Sequence, residues 1–172
     1  MADHLVDVVD LKDNVIGQDL KSNKIAKNFI SRVVAILLFD SENNLILCRR
    51  ADKKISAAGK YDLAVCGNVE VGESYEKAAN RELKEELGIE CELKLLDKFY
   101  QEMNDDGKIY KMFCGVFVGK TDQKLTLNHE LVEVKKMTIV EVERDIENNP
   151  DKYCPGFIND FYQVKDKLYL ET

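Results

Sequence analysis

Apolar and polar residues alternate along most of the 172-residue chain, broken by one amphipathic stretch near its middle and two towards its end. The period-2 runs "LVDVV" and "VIGQDL", joined by a turn around "LKDN", predict a β-hairpin over about residues 3–21. "ISRVVAILLFD" and "LILCRR" flank the asparagine-rich turn "SENN" and predict a second strand pair. Val33–Phe39 is apolar throughout and reads as a buried strand, far too short to span a bilayer. The small, polar "ADKKISAAGK" reads as a loop, with short strands to follow around "YDLAV" and "NVEV".

From Ser74 the period lengthens to that of a helix, with Tyr75, Ala79, Leu83 and Leu87 forming one apolar stripe. Ser74 suits the N-cap, Gly88 stands where a left-handed C-cap belongs, and Ile89 can make the accompanying hydrophobic contact. Beyond it, "CELKLLDKFYQEM" and "KIYKMFCGVFVG" flank "NDDG", a hairpin signal. A strand near "LVEVKKMTI" and helices over about 140–148 and 155–168 complete the chain. A mixed sheet with one central and two late helices predicts an α/β fold, organised as a single domain over residues 1–172.

Composition narrows the function. The formal charge of −7, without a long basic tract, argues against a polymeric nucleic acid as partner. A small anionic ligand stays open, provided metal ions neutralise it. The five cysteines are odd in number and lack a CxxC pair, which points to reduced thiols in a cytoplasmic protein rather than disulfides or a zinc site. The amino terminus lacks the basic and apolar regions of a signal peptide, and no membrane partner is expected.

The chemistry concentrates in "RELKEELG", Arg81 to Gly88. Glu82, Glu85 and Glu86 span roughly a hundred degrees of the helix, at 3.6 residues per turn, beside the apolar stripe. Packing by that stripe would aim the acidic edge along the border of the core. Like charges at these spacings cost only about 0.2–0.5 kcal/mol per pair, so the octapeptide by itself reads equally as a solvated helix face. The preceding residues change the balance. From Gly67 the chain runs "GNVEVGESYEKAANRELKEELGI", with Gly67, Glu73, Arg81-Glu82-Leu83, Glu85-Glu86 and Gly88-Ile89 at fixed spacing.

This run resembles the complete signature of the Nudix hydrolases. The resemblance implies a Nudix-type α/β/α sandwich with a mixed β-sheet, and a loop–helix–loop spanning residues 67–89. It implies Mg²⁺ or Mn²⁺, a small-molecule diphosphate as substrate, and in-line attack of water on phosphorus. Glu82, Glu85 and Glu86 would be the metal ligands, joined by the carbonyl of Gly67. Arg81 would orient Glu73, and Gly72 would permit the turn between. Hard divalent cations with oxygen ligands suit this task because they screen the polyanion and activate water.

Upstream "VDVVDLKDNVIG" and "LILCRRADKK", and downstream "HELVEVKKMTI", resemble the Nudix branch allied to type I isopentenyl diphosphate isomerase. There Cys66 aligns with the isomerase's catalytic thiol. The isomerase's metal site resembles a cluster of three histidines with glutamates, whereas this chain has only His4 and His129, and Asn68 follows the "CG". The intact "REL-x-EE" favours a hydrolase over the isomerase, and over a Nudix-fold ligand sensor that would not need all three carboxylates. Cys66 then reads as a small core or loop-lining residue.

Arg49 or Arg50 would contact a substrate phosphate, a role basic residues have there in the branch; a solvated arginine pair is the alternative. Lys53 and Lys54 have weaker claims. Glu130, ahead of Glu133 and His129, is the preferred further metal ligand or general base, with a plain surface carboxylate as its alternative. Among the aromatics Phe99, Tyr100, Tyr110, Phe113 and Phe117, alternation turns most towards the core. A homodimer is compatible with all of this.

Overall fold

A computed structural model describes residues 3–170 apart from Ile55 and Asp106, with only the backbone described at Asp105. The first hairpin pairs β1 (Leu5–Val9) with β2 (Val15–Leu20), as the alternation predicts. A single helical turn, α1 (Lys24–Lys27), leads into the long strand β3 (Ile30–Phe39). β4 (Leu45–Arg50) returns antiparallel to it, followed by the short strands β5 (Tyr61–Asp62) and β6 (Val65–Asn68). The central helix α2 (Tyr75–Leu87) precedes a long hairpin of β7 (Leu93–Asp105) and β8 (Lys108–Lys120). β9 (Leu131–Met137), α3 (Ile139–Asn148) and α4 (Pro155–Leu168) close the chain. The expected hairpin turn at 104–107 contains Asp106, which lies outside the described residues, as does Ile55 in the expected loop at 51–60.

All nine strands join one mixed sheet. β3 sits at its heart: it runs parallel to β8 from Ile30↔Lys111 to Phe39↔Lys120 and antiparallel to β6 from Val33↔Asn68 to Ile36↔Val65. Burial on both of its faces explains why Val33–Phe39 is apolar at every position. Val34, Ile36 and Leu38 pack on one face against Ala78, Ala79, Leu83 and Leu87 of α2. Val33, Ala35 and Leu37 pack on the other face against Phe157, Phe161 and Val164 of α4. Two helical layers therefore sandwich the sheet, the α/β/α arrangement expected. No helix among the described residues is long and apolar enough to cross a membrane.

Three details depart from the sequence reading. The strand expected at "NVEV" stops at Asn68, with Glu70 keeping a single bridge to Val6, because the chain turns at Gly72 (φ 74°). The strand expected at "YDLAV" is split, with Leu63 and Ala64 between β5 and β6. α3 begins at Ile139 because Thr138 and Glu141 form a capping box, a signal present in "TIVE".

Candidate active site

α2 is set by its ends. The Ser74 hydroxyl accepts the Lys77 N–H at 3.3 Å, and Gly88 closes the helix in the left-handed region (φ 67°), its N–H donating to the Lys84 carbonyl at 3.0 Å. Burial of Ala78, Ala79, Leu83 and Leu87 against the sheet then fixes which edge of the helix is left free: the one bearing Glu82, Glu85 and Glu86.

Gly67, on β6, allows the closest approach. A Cβ there would lie 2.0 Å from Glu82 Cδ, so only glycine lets the carboxylate stand against the strand. Arg81 ties the assembly together. Its Nε and Nη2 donate to the two oxygens of Glu73 at 2.9 Å each. Nη2 also donates to the Asn68 carbonyl at 2.9 Å, and Nη1 to Glu82 at 2.8 Å and Glu85 at 3.5 Å. The bidentate pair holds the Glu73 carboxyl below the usual range. Glu73 also accepts the Glu70 N–H at 3.0 Å, and Asp7 accepts the Gly72 N–H at 3.2 Å, which seats the turn.

The segment after β8 is sewn to the end of α2. Thr126 N–H donates to the Leu87 carbonyl at 2.8 Å and Asn128 N–H to the Glu86 carbonyl at 3.1 Å. Asn128 Oδ1 then accepts the Glu130 N–H at 2.8 Å, and the Glu130 carbonyl accepts the Ala51 N–H at 2.8 Å. Glu130 thereby comes to the acidic edge, where Lys54 pairs with it. Burial, then repulsion from Glu82 and Glu130, pushes the Glu86 carboxyl up to about 8, with Lys54 opposing. Burial also raises Glu82, against the pull of Arg81. Glu85 is the exposed member, its side chain 59% accessible.

These residues line one end of a cavity of about 410 Å³. Arg50, Lys54 and Lys21 bring positive charge to the same space. Arg50 is held there by Asp62 at 3.2 Å and by the Ser56 carbonyl at 3.2 Å. Its neighbour Arg49 points to the opposite face of β4, bonded to Asp52 at 3.0 Å and Glu133 at 3.1 Å away from the cavity lining. The structure thus separates the arginine pair, and Arg49 is set aside as a substrate contact. His129, Glu133 and Lys53 are likewise exposed and outside the cavity, whereas His4 lines it.

The other end of the cavity lies under α4. Val33, Leu63, Met103, Met112 and Phe157 make it largely apolar, while Gln101 and Asp160 are its polar members. Sequence reasoning missed Lys21, Gln101 and Asp160. The one available signal was Asp160 itself, a carboxylate in the apolar stripe of Phe157, Phe161, Val164 and Leu168.

Cys66 corrects an expectation. Rather than packing in the core, it points from β6 into the cavity and is exposed there. The walls around it nonetheless keep bulk water away, and this, followed by the negative charge of Asp62 and Asp160, pushes its thiol well above the ordinary value. Asn68, beside it in sequence, accepts a hydrogen bond at 3.1 Å from the buried ammonium of Lys24. Burial, then Lys21, lowers the Lys24 ammonium to about 8.

Comparisons with known proteins show the family and the fold. The NUDIX domain model matches residues 30–155. The chain is 34% identical to isopentenyl-diphosphate Delta-isomerase 2 of Photorhabdus laumondii over 157 residues, covering 90% of this chain and 89% of that one. It is 28% identical to a prenyl-diphosphate phosphatase of Methanosarcina mazei over 155 residues, covering 88% and 89%. Among solved structures, DR0079 of Deinococcus radiodurans shares the fold with a TM-score of 0.75 at 23% identity, covering 93% of this chain and 98% of that one. On the match of its residues 30–155 and the relative 34% identical across most of both chains, this protein belongs to the NUDIX domain family.

Proposed function

We propose that this protein is a metal-dependent diphosphohydrolase, cleaving the P–O–P bond of a small organic or nucleoside diphosphate. One observation carries the reading: a single cavity holds Glu82, Glu85, Glu86 and Glu130 beside Arg50, Lys54 and Lys21. Carboxylates alone would repel a diphosphate, and cations alone would bind it without assisting hydrolysis. The cavity's size, at the small end of the roughly 300–1,000 Å³ usual for ligand pockets, and its apolar inner end favour a small organic group. Prenyl diphosphates, which the Methanosarcina relative is named for, are accordingly the first substrates to try.

A divalent cation fits by the chemistry of the donors. Glu82, Glu85 and Glu86 offer hard oxygens on one edge of α2, which suit a hard divalent cation. Among the described residues no three acidic, histidine or cysteine side chains already form a ligand shell. Protein cations take that place, Arg81 on Glu82 and Lys54 on Glu130. Mg²⁺ or Mn²⁺, held by the three glutamates with the Gly67 carbonyl, would supply charge neutralisation and a more acidic water.

The chain's own residues do the rest. Arg50, fixed by Asp62, receives phosphate oxygens. Lys54 exchanges Glu130 for a phosphate oxygen as substrate enters, and the freed Glu130 carboxylate accepts a proton from the attacking water. The water oxygen bonds to phosphorus, and the bridging P–O bond breaks with its electron pair leaving on the departing phosphate. Arg81 keeps Glu82 and Glu73 in place. Phosphate release from a panel of diphosphates, with and without Mg²⁺, tests the assignment; turnover that persists in excess chelator would refute it.

The isomerase reading draws support from the opening of Cys66 into the cavity. Against it, Asn68 stands where that branch has a metal ligand, and it is engaged by the Lys24 ammonium, a fixed cation beside which a metal ion would be repelled. Deuterium uptake by isopentenyl diphosphate in heavy water, lost in Cys66→Ala, would reinstate it.

A further inference from the structure

The inner end of the cavity contains a group that hydrolysis at the acidic end does not use. Asp160 lies on α4, 5% exposed, yet it lines the cavity. α4 and α2 cover opposite faces of the sheet, yet Asp160 and the glutamates of α2 line the same cavity. Its surroundings are apolar: Met103, Met112 and Phe157 share that end. An aspartate in such a stripe loses hydration, and a leucine would pack there at no such cost.

The carboxylate is held in place rather than left loose. Gln101 Nε2 donates to Oδ1 at 2.8 Å, the Cys114 thiol lies 3.8 Å from Oδ2, and Asn159 Nδ2 in turn donates to Gln101 Oε1. These contacts leave acceptor capacity on Asp160 and a second N–H on Gln101 Nε2. Hydrogen-bonded to each other on the cavity lining beside Met103, Met112 and Phe157, the two offer one acceptor and one donor to a single incoming group.

We infer that Asp160, with Gln101, recognises a hydroxyl at the end of a short apolar chain, the chain lying along Met103, Met112 and Phe157 with its diphosphate at the glutamates. A hydroxyl fits both partners at once, donating to Asp160 and accepting from Gln101. The inference rests on the diphosphohydrolase reading and deepens it, naming the substrate class as short-chain hydroxyalkyl or hydroxyalkenyl diphosphates.

The test compares a matched pair of five-carbon alkenyl diphosphates, one with a terminal hydroxyl and one without, with Mg²⁺ and wild-type protein. The hydroxylated member should show a kcat/KM at least about tenfold higher, carried mainly by a lower KM, since buried polar groups reject a substrate that cannot pair with them. In Asp160→Leu the ratio between the pair should fall close to one. In Asp160→Asn, which keeps a carbonyl acceptor, part of the preference should remain. Should the leucine variant fail to fold, the wild-type ratio and the asparagine variant decide. Equal kcat/KM for the pair, with brisk turnover of both, would overturn the recognition of a hydroxyl and leave the hydrolase reading standing. No Mg²⁺-dependent turnover of either, or of a wider panel of diphosphates, would overturn both together.

Discussion

Single residues decide whether this site exists, and Gly67 shows it most sharply. A methyl group there would meet Glu82 Cδ at 2.0 Å, against a side chain pinned by Arg81. Gly67→Ala should therefore displace Glu82, lower stability by about 1–3 kcal/mol and reduce turnover together, as urea unfolding and phosphate release would show. Glu86→Gln should do the opposite on stability. It removes a carboxylate whose pKa burial and its neighbours raise to about 8, so the fold should hold or gain while turnover falls by orders of magnitude. At this scale the sequence was most legible where spacing carried chemistry: the Arg81–Glu73 bracing expected there is present as a bidentate pair. It was least legible where contacts join distant segments. Lys21 and Asp160 meet one cavity from positions 139 residues apart (160 − 21), and no local pattern encodes that.

Elements follow from their ends and faces. α2 was readable because its cap residues and apolar stripe agree, and α3 starts at Ile139, close to the expected 140, because Thr138 and Glu141 form its capping box. Thr138→Ala should accordingly cost about 1 kcal/mol, measurable by denaturant unfolding, without altering the kinetics of a site that α3 does not line. The strands were legible where seven consecutive residues are apolar, as Val33–Phe39 in β3, and blurred where two residues suffice, as in β5. Such short strands are assigned by their partners: β5 exists because Cys48 and Arg49 pair with Asp62 and Tyr61. The stretch between β8 and β9 has no periodicity to read. Its hydrogen bonds to the end of α2 nevertheless deliver Glu130 to the site.

Across the whole molecule, buried carboxyls raised above their ordinary values, Glu86 and Asp160 together with Asp62 and Glu82, set a pH signature. Burial raises Asp160 to about 7 and Glu86 to about 8, whereas unfolding returns each to ~4. The folded protein thus holds protons that the unfolded chain releases, and stability should fall as pH rises from about 4 towards 8. Thermal unfolding in chelator at pH 5 and pH 8 measures the slope, and Asp160→Asn should flatten its part of it. Mg²⁺ should raise the melting temperature more at pH 8, where Glu86 is ionised and ready to bind, than at pH 5.

On the proposed function, the α2 carboxylates and the cavity's cations together hydrolyse a small diphosphate. The direct measurement is phosphate release from short organic diphosphates by wild-type and Glu86→Gln protein, with Mg²⁺ and with chelator. Release is expected from the wild type only with Mg²⁺, with a loss of at least about a hundredfold in Glu86→Gln, on the order of 3 kcal/mol in the barrier. Equal release by the two proteins, or release unaffected by chelator, would contradict it.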